Sequence, residues 1–165
     1  MNYHNILTDN MVNGEGLRTV LWVSGCGHFC PNCFNPQTWD KNSGIYFDEK
    51  SKQELFYYLS KPYIDGITLS GGDPLNEYNL TEINKLIDEI KIKFPTKTIW
   101  IYSGYTYEEL DEIRRSIVNK CEVLIDGKYI HSLYDPNLLY RGSSNQRVID
   151  LKETINQGKI VLFCA

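Results

Sequence analysis

Three cysteines stand within eight residues in the stretch "WVSGCGHFCPNCFN": Cys26, then Cys30 after three intervening residues, then Cys33 after two. Thiolates grouped in this way suit zinc or iron–sulfur chemistry, and three readings compete. A structural zinc site wants four ligands in a tetrahedral array, usually drawn from two separated pairs. Here there is no second pair, and His28 lies too close in sequence to both neighbouring cysteines to wrap the same ion comfortably. Cys121 and Cys164 fall in apolar runs, where a lone cysteine behaves as a small hydrophobe. An electron-carrying ferredoxin closes every iron of its cluster with four cysteines. Three thiolates on a four-iron, four-sulfur cluster leave one iron open, and an open metal position marks a site that binds and activates a substrate.

The chain around this motif sets the context. With 165 residues, 42% of them hydrophobic, it has the length and composition of one globular domain spanning 1–165. No apolar run approaches the roughly 20 residues that cross a bilayer, and "MNYHNILTDN" lacks the basic and apolar segments of a secretory signal. A cytoplasmic protein is expected. A net charge of -4 gives no electrostatic footprint for nucleic acid or anionic lipid. Five cysteines, an odd number in a reducing compartment, argue for metal or redox chemistry over a disulfide framework.

Elements must position the motif. Short β-branched runs recur at 18–24, 66–70, 98–103, 121–126 and 159–164, and they read as strands buried on both faces. Between them lie helical patterns. "SKQELFYYLSK" carries Ser51 and Glu54 at capping-box spacing, and "TYEELDEIRRSIVNK" repeats the arrangement with Thr106 and Glu109. "NLTEINKLIDEIKIKF" places Leu80, Ile83, Leu86, Ile87 and Ile90 on one face before Pro95. Alternation of strands and helices predicts an α/β fold with a mostly parallel sheet. A closed eight-unit barrel typically needs about 250 residues, so an open, partial β/α barrel is expected. The least regular region is 129–158.

Each of the first four strands runs directly into a glycine-bearing loop: "SGCGHFC", "SGGDP", "SGY" and "DGK". Parallel α/β folds bind ligands at the carboxyl ends of strands, so the four loops are expected on one rim. Gly71 and Gly72 either form a tight turn or let backbone approach a ligand closely. Ser103 can donate its hydroxyl to a ligand or satisfy local backbone. Asp126 can serve a substrate or a cation, although "DG" is also a turn. His4 and His131 read as surface or core residues. No Ser-His-Asp set supports hydrolysis.

Cys26, Cys30 and Cys33, in a loop after the first strand, resemble the signature of the radical S-adenosylmethionine (SAM) enzymes. That resemblance implies a 4Fe-4S cluster on the three cysteines, whose open iron chelates the amino and carboxylate groups of SAM. "SGGDP" resembles the family's Gly-Gly-Glu motif, with Asp73 in place of Glu. By the same resemblance Gly71, Gly72, Asp73 and Ser103 contact SAM, and Asn32 and Phe34, flanking Cys33, lie near its adenine. "VNGEGLR", "VSGC", "SGGDPL", "LIDGKY" and "RGSSNQR", in that order, resemble one subgroup: the activating proteins of anaerobic (class III) ribonucleoside-triphosphate reductase. This implies a flavodoxin-type electron donor, reductive cleavage of SAM, and a glycyl radical raised on the large reductase subunit as protein substrate. Alternatives are an activase of another glycyl radical enzyme such as pyruvate formate-lyase, a compact SAM enzyme acting on a small molecule, and a non-catalytic iron–sulfur or zinc electron-carrier module. The tail from Lys152 onward carries no further motif.

Overall fold

The computed structural model describes residues 1–164. Its strands form one open sheet in the order β3-β1-β2-β4-β5-β6-β7-β8, numbered along the chain. They are β1 (Asn2–Asn10), β2 (Arg18–Val23), β3 (Ile45–Tyr46), β4 (Gly66–Gly71), β5 (Thr98–Tyr102), β6 (Val123–Asp126), β7 (Arg147–Asp150) and β8 (Leu162–Cys164). The centre is as expected: β2, β4, β5 and β6 are parallel neighbours. The flanks are not. β1 pairs antiparallel with β2 and β3, and β7 pairs antiparallel with β6 and β8. The sheet is therefore mixed, with more antiparallel than parallel pairings, which corrects the expectation of a mostly parallel one. The physical reason at the first edge is connection length: residues 11–17 between β1 and β2 are too few for a parallel crossover, which takes about a dozen.

Four helices accompany the sheet: α1 (Glu49–Leu59), α2 (Leu80–Lys93), α3 (Glu112–Val118) and α4 (Leu151–Gln157). None among the described residues is long and apolar enough to cross a membrane. The cap of α1 is Asp48, whose side chain accepts from Ser51 N, so Ser51 is inside the helix rather than opening it. The Thr106–Glu109 capping box exists but opens only a single 3-10 turn; α3 begins later, capped by Asp111. In α2 the stripe Ile83, Leu86, Ile87 and Ile90 is buried.

Strand alternation divides the interior in two. Leu21, Val23, Ile67, Leu69, Ile99, Ile101 and Leu124 join the helices in one large core. Trp100, Val123, Ile125 and Val148 belong to a smaller cluster, with Tyr102, Tyr140 and Cys164 packed against it. That second cluster draws on the segment expected to be irregular, which contains β7 and α4. The run 159–164 is no doubly buried strand: only Leu162–Cys164 is extended, antiparallel, with Leu162 and Phe163 both exposed.

Candidate active site

Strand register brings the loops together. Val23 is paired with Gly71 at the ends of β2 and β4, and Ser103 N donates to Ile125 O at the ends of β5 and β6 (2.9 Å). The cysteine loop leaves β2 and is tied back on itself, Gly25 N donating to Thr38 O (2.7 Å) and Cys26 N to Trp39 O (3.0 Å). It is also fastened to the "SGGDP" loop: Gly72 N donates to Val23 O and Asp73 N to Gly25 O, both at 2.8 Å. Asn79 Nδ2 donates to Ser24 O and Asp73 O, at 2.8 and 3.1 Å.

A cavity of about 440 Å³ lies between these loops. Cys26, Cys30, Cys33, Phe34, Gly71, Gly72, Asp73 and Ser103, all site candidates from the sequence, line it. Asn32 does not: it is exposed, at φ 59°, on the turn between Cys30 and Cys33. Asp126 is also outside the lining. Its buried carboxylate takes Arg147 Nε (3.0 Å) and Nη2 (2.5 Å) and accepts from Tyr107 N (2.8 Å), a structural role that leaves it committed within the chain. Exposed Phe34, Tyr134 and Lys128 belong to the lining, so the cavity opens to solvent on that side.

Asp73 is 1% exposed, and four donors meet its carboxylate. Oδ2 accepts from His28 Nε2 (2.6 Å), Ser103 Oγ (3.0 Å) and Gly104 N (3.0 Å), and Oδ1 accepts from Leu75 N (2.8 Å). Because a carboxylate only accepts, the pairing assigns the ring proton to Nε2. The His28 ring also stands edge-on to Tyr105 at 4.6 Å. Thus His28, between two of the cysteines, is a latch that docks the cysteine loop onto the ends of β4 and β5. The sequence reading missed this role, because the 45 residues separating His28 and Asp73 are closed only by the parallel pairing. The hydroxyl of Ser103 is likewise engaged within the protein.

The glycines have a fold-level reason. Gly71 sits at φ 103°, where a Cβ would stand 2.5 Å from Val23 N, and a Cβ on Gly72 would stand 2.6 Å from Gly25 O. The close approach these residues permit is between the two loops themselves.

Among the described residues no three His, Cys, Asp or Glu side chains converge as they would on a single metal ion, and the residues present suit the larger iron–sulfur cluster instead. The donor set is three free thiols, all partly accessible and facing one cavity. Burial pushes the Cys26 thiol up to about 11, opposed by the backbone N–H of His28, and burial also raises Cys30. Loading metal here must therefore release protons. Cys121 is buried in the large core and absent from the lining, so it supplies no fourth ligand. The cavity also has unmet hydrogen-bonding capacity. The buried Trp22 Nε1, Trp39 Nε1, Arg141 Nε and Arg141 Nη1 have no partner among the described residues, and all three residues line it. Buried polar groups in native proteins are normally paired, so donors left over around one cavity suit a ligand rich in acceptors. None of these three residues was singled out from the sequence as a site residue.

Comparison with known proteins agrees with this chemistry. Residues 12–149 match the family model described as "4Fe-4S single cluster domain". The anaerobic ribonucleoside-triphosphate reductase-activating protein of Escherichia coli (strain K12) is 44% identical over 154 residues, covering 92% of this chain and 100% of the relative. The protein of the same name from Enterobacteria phage T4 is 43% identical, covering 90% and 93%. That from Haemophilus influenzae is 40% identical, covering 88% and 96%. On these likenesses, extending over nearly the full length of both partners, the chain belongs to the family of anaerobic ribonucleoside-triphosphate reductase-activating proteins.

Proposed function

We infer that this chain activates an anaerobic ribonucleoside-triphosphate reductase by reductive cleavage of SAM at a 4Fe-4S cluster held by Cys26, Cys30 and Cys33. The observation that supports it best is the shared cavity, in which three thiols, the Gly71-Gly72-Asp73 loop and four unpartnered donors face one another. When bound, the reduced cluster would supply one electron to the sulfonium of SAM, whose S–C5' bond would break to give methionine and a 5'-deoxyadenosyl radical able to take a Cα hydrogen from a glycine of the large subunit.

The chain's own residues do the rest. The His28–Asp73 latch holds the cysteine loop against the ends of β4 and β5. Asp73, in this reading, acts chiefly by positioning, because its oxygens already face four donors. Gly71 and Gly72 line the cavity and are the proposed contacts for the methionyl end of SAM, through main-chain groups other than the Gly72 N–H, and Phe34 is the one for its adenine. The sheet does not close on itself, and a partial β/α barrel of the radical SAM type would leave an entrance for a polypeptide loop. A flavodoxin-type protein is the proposed electron donor.

The test is anaerobic: load the chain with iron and sulfide, reduce it, add SAM and quantify 5'-deoxyadenosine, alone and with the large reductase subunit. Formation that disappears in each of Cys26→Ala, Cys30→Ala and Cys33→Ala is the expected result. A loaded, reduced chain that forms none even beside its partner sinks the reading.

A further inference from the structure

Two guanidinium groups in this protein are treated in opposite ways. Arg18, 1% exposed, spends its donors on Thr68 Oγ1 (2.8 Å), Glu15 O (3.1 Å), Thr98 Oγ1 (3.0 Å), Ile67 O (2.7 Å) and Thr98 O (3.0 Å). Arg141 lines the candidate cavity, and its Nε and Nη1 are buried without any partner among the described residues. Arg141 as a whole is half-buried, but sealing two of its three guanidinium nitrogens from water without acceptors is unfavourable. A fold that satisfies Arg18 so completely retains such a group where a molecule from outside brings the missing acceptors.

The backbone around Arg141 is built to hold it there. Tyr140, immediately before it, has φ 64°, a left-handed conformation that costs free energy for a residue with a side chain. Tyr102 Oη donates to Tyr140 O (2.5 Å), and the Tyr140 ring stands edge-on to Trp100 at 5.1 Å. On the other side, Gln146 Oε1 accepts from Gly142 N and Ser143 N, both at 3.1 Å, while its Nε2 donates to Gly127 O (3.0 Å). Both flanks of Arg141 are thereby clamped to the ends of β5 and β6. The other orphaned polar atoms in the lining, Trp22 Nε1 and Trp39 Nε1, are donors as well. What completes the site is an anion rich in acceptor oxygens.

We propose that Arg141 is the receptor for a ligand carboxylate in this cavity, and that the carboxylate is the methionyl one of SAM; the proposal rests on the SAM reading above. SAM carries one negative group, its carboxylate, and a carboxylate has about four lone-pair sites, enough for a metal and a guanidinium together. A carboxylate on the entering polypeptide is the less favoured source. Nε and Nη1 of Arg141 are sealed from solvent, whereas an incoming chain first meets the exposed Phe34 and Tyr134.

The experiment measures binding, not turnover, on the full chain with its cluster assembled under anaerobic conditions. Dissociation constants are determined for SAM and for its decarboxylated analogue with the unaltered protein, Arg141→Met and Arg141→Lys. Loss of charge-assisted hydrogen bonds predicts SAM binding to Arg141→Met weakened about 10- to 150-fold, with the analogue changed less than about threefold. Arg141→Lys, which keeps the charge but not the planar donor set, should fall between, and it carries the comparison if melting shows that the Met variant does not fold. Equal losses for both ligands, or none for either, overturn the proposal. Unchanged SAM binding with weakened binding of the large reductase subunit overturns it too, and moves the carboxylate to the polypeptide. Unaltered protein that takes up no SAM defeats the underlying reading before any variant is compared.

Discussion

The His28–Asp73 latch gives the sharpest test of how the cysteine loop is held. Its two side chains are 8% and 1% exposed and 2.6 Å apart. Replacing His28 with Phe keeps an aromatic ring against Tyr105 and removes one of four donors to Asp73. A hydrogen bond to a charged group is worth about 1.5–3 kcal/mol, and three donors remain to limit the damage, so a loss of about 1.5–3 kcal/mol is expected. Asp73→Asn turns a wholly accepting group into one that presents an N–H to Ser103 Oγ, Gly104 N or His28, and a cost of about 2–4 kcal/mol follows. The double variant should cost less than the sum by about 1.5–3 kcal/mol, because the same bond cannot be lost twice. Urea unfolding of the metal-free, reduced chain measures all three. Iron retained per chain after cluster assembly reads the consequence for the loop, which should be lower in both single variants. Stability losses that add to within about 0.5 kcal/mol would refute the latch.

Other expectations follow from single features. Cys121→Ala should leave iron content and the cluster's spectrum unchanged, and in the native chain burial should protect Cys121 from alkylating reagents that label Cys26, Cys30 and Cys33 before metal is added. Gly104→Ala should loosen the cysteine loop much as a latch variant does, since its Cβ would stand 2.4 Å from the His28 ring; iron content equal to that of the unaltered protein would contradict this. Ile87→Ala, in the buried stripe of α2, should cost about 2–5 kcal/mol in urea unfolding without altering SAM affinity. Hydrogen bonding to Arg147 holds the exposed Glu108 carboxyl below the usual range, so its small contribution is present above the ordinary carboxylate pKa and fades as pH falls through the lowered value. Glu108→Gln should accordingly flatten the acid limb of a stability profile.

What the sequence alone determined was local or periodic. The spacing of Cys26, Cys30 and Cys33 sits within one loop and needs no distant partner to be read. The four central strands announce themselves as unbroken apolar runs because both of their faces are covered, and α2 through its stripe of isoleucines and Leu86. The outer strands gave no such signal: β1 is largely half-exposed, and β7 is a four-residue strand inside a polar segment. Only the tertiary structure decided which side chains close the site. The ring of His28 reaches Asp73, Arg147 reaches Asp126, and Nε and Nη1 of Arg141 are buried without a partner among the described residues, all through contacts between residues remote in sequence or through their absence. A motif records the residues that a loop contributes, whereas a hydrogen bond between loops depends on strand register, and register is a property of the whole sheet.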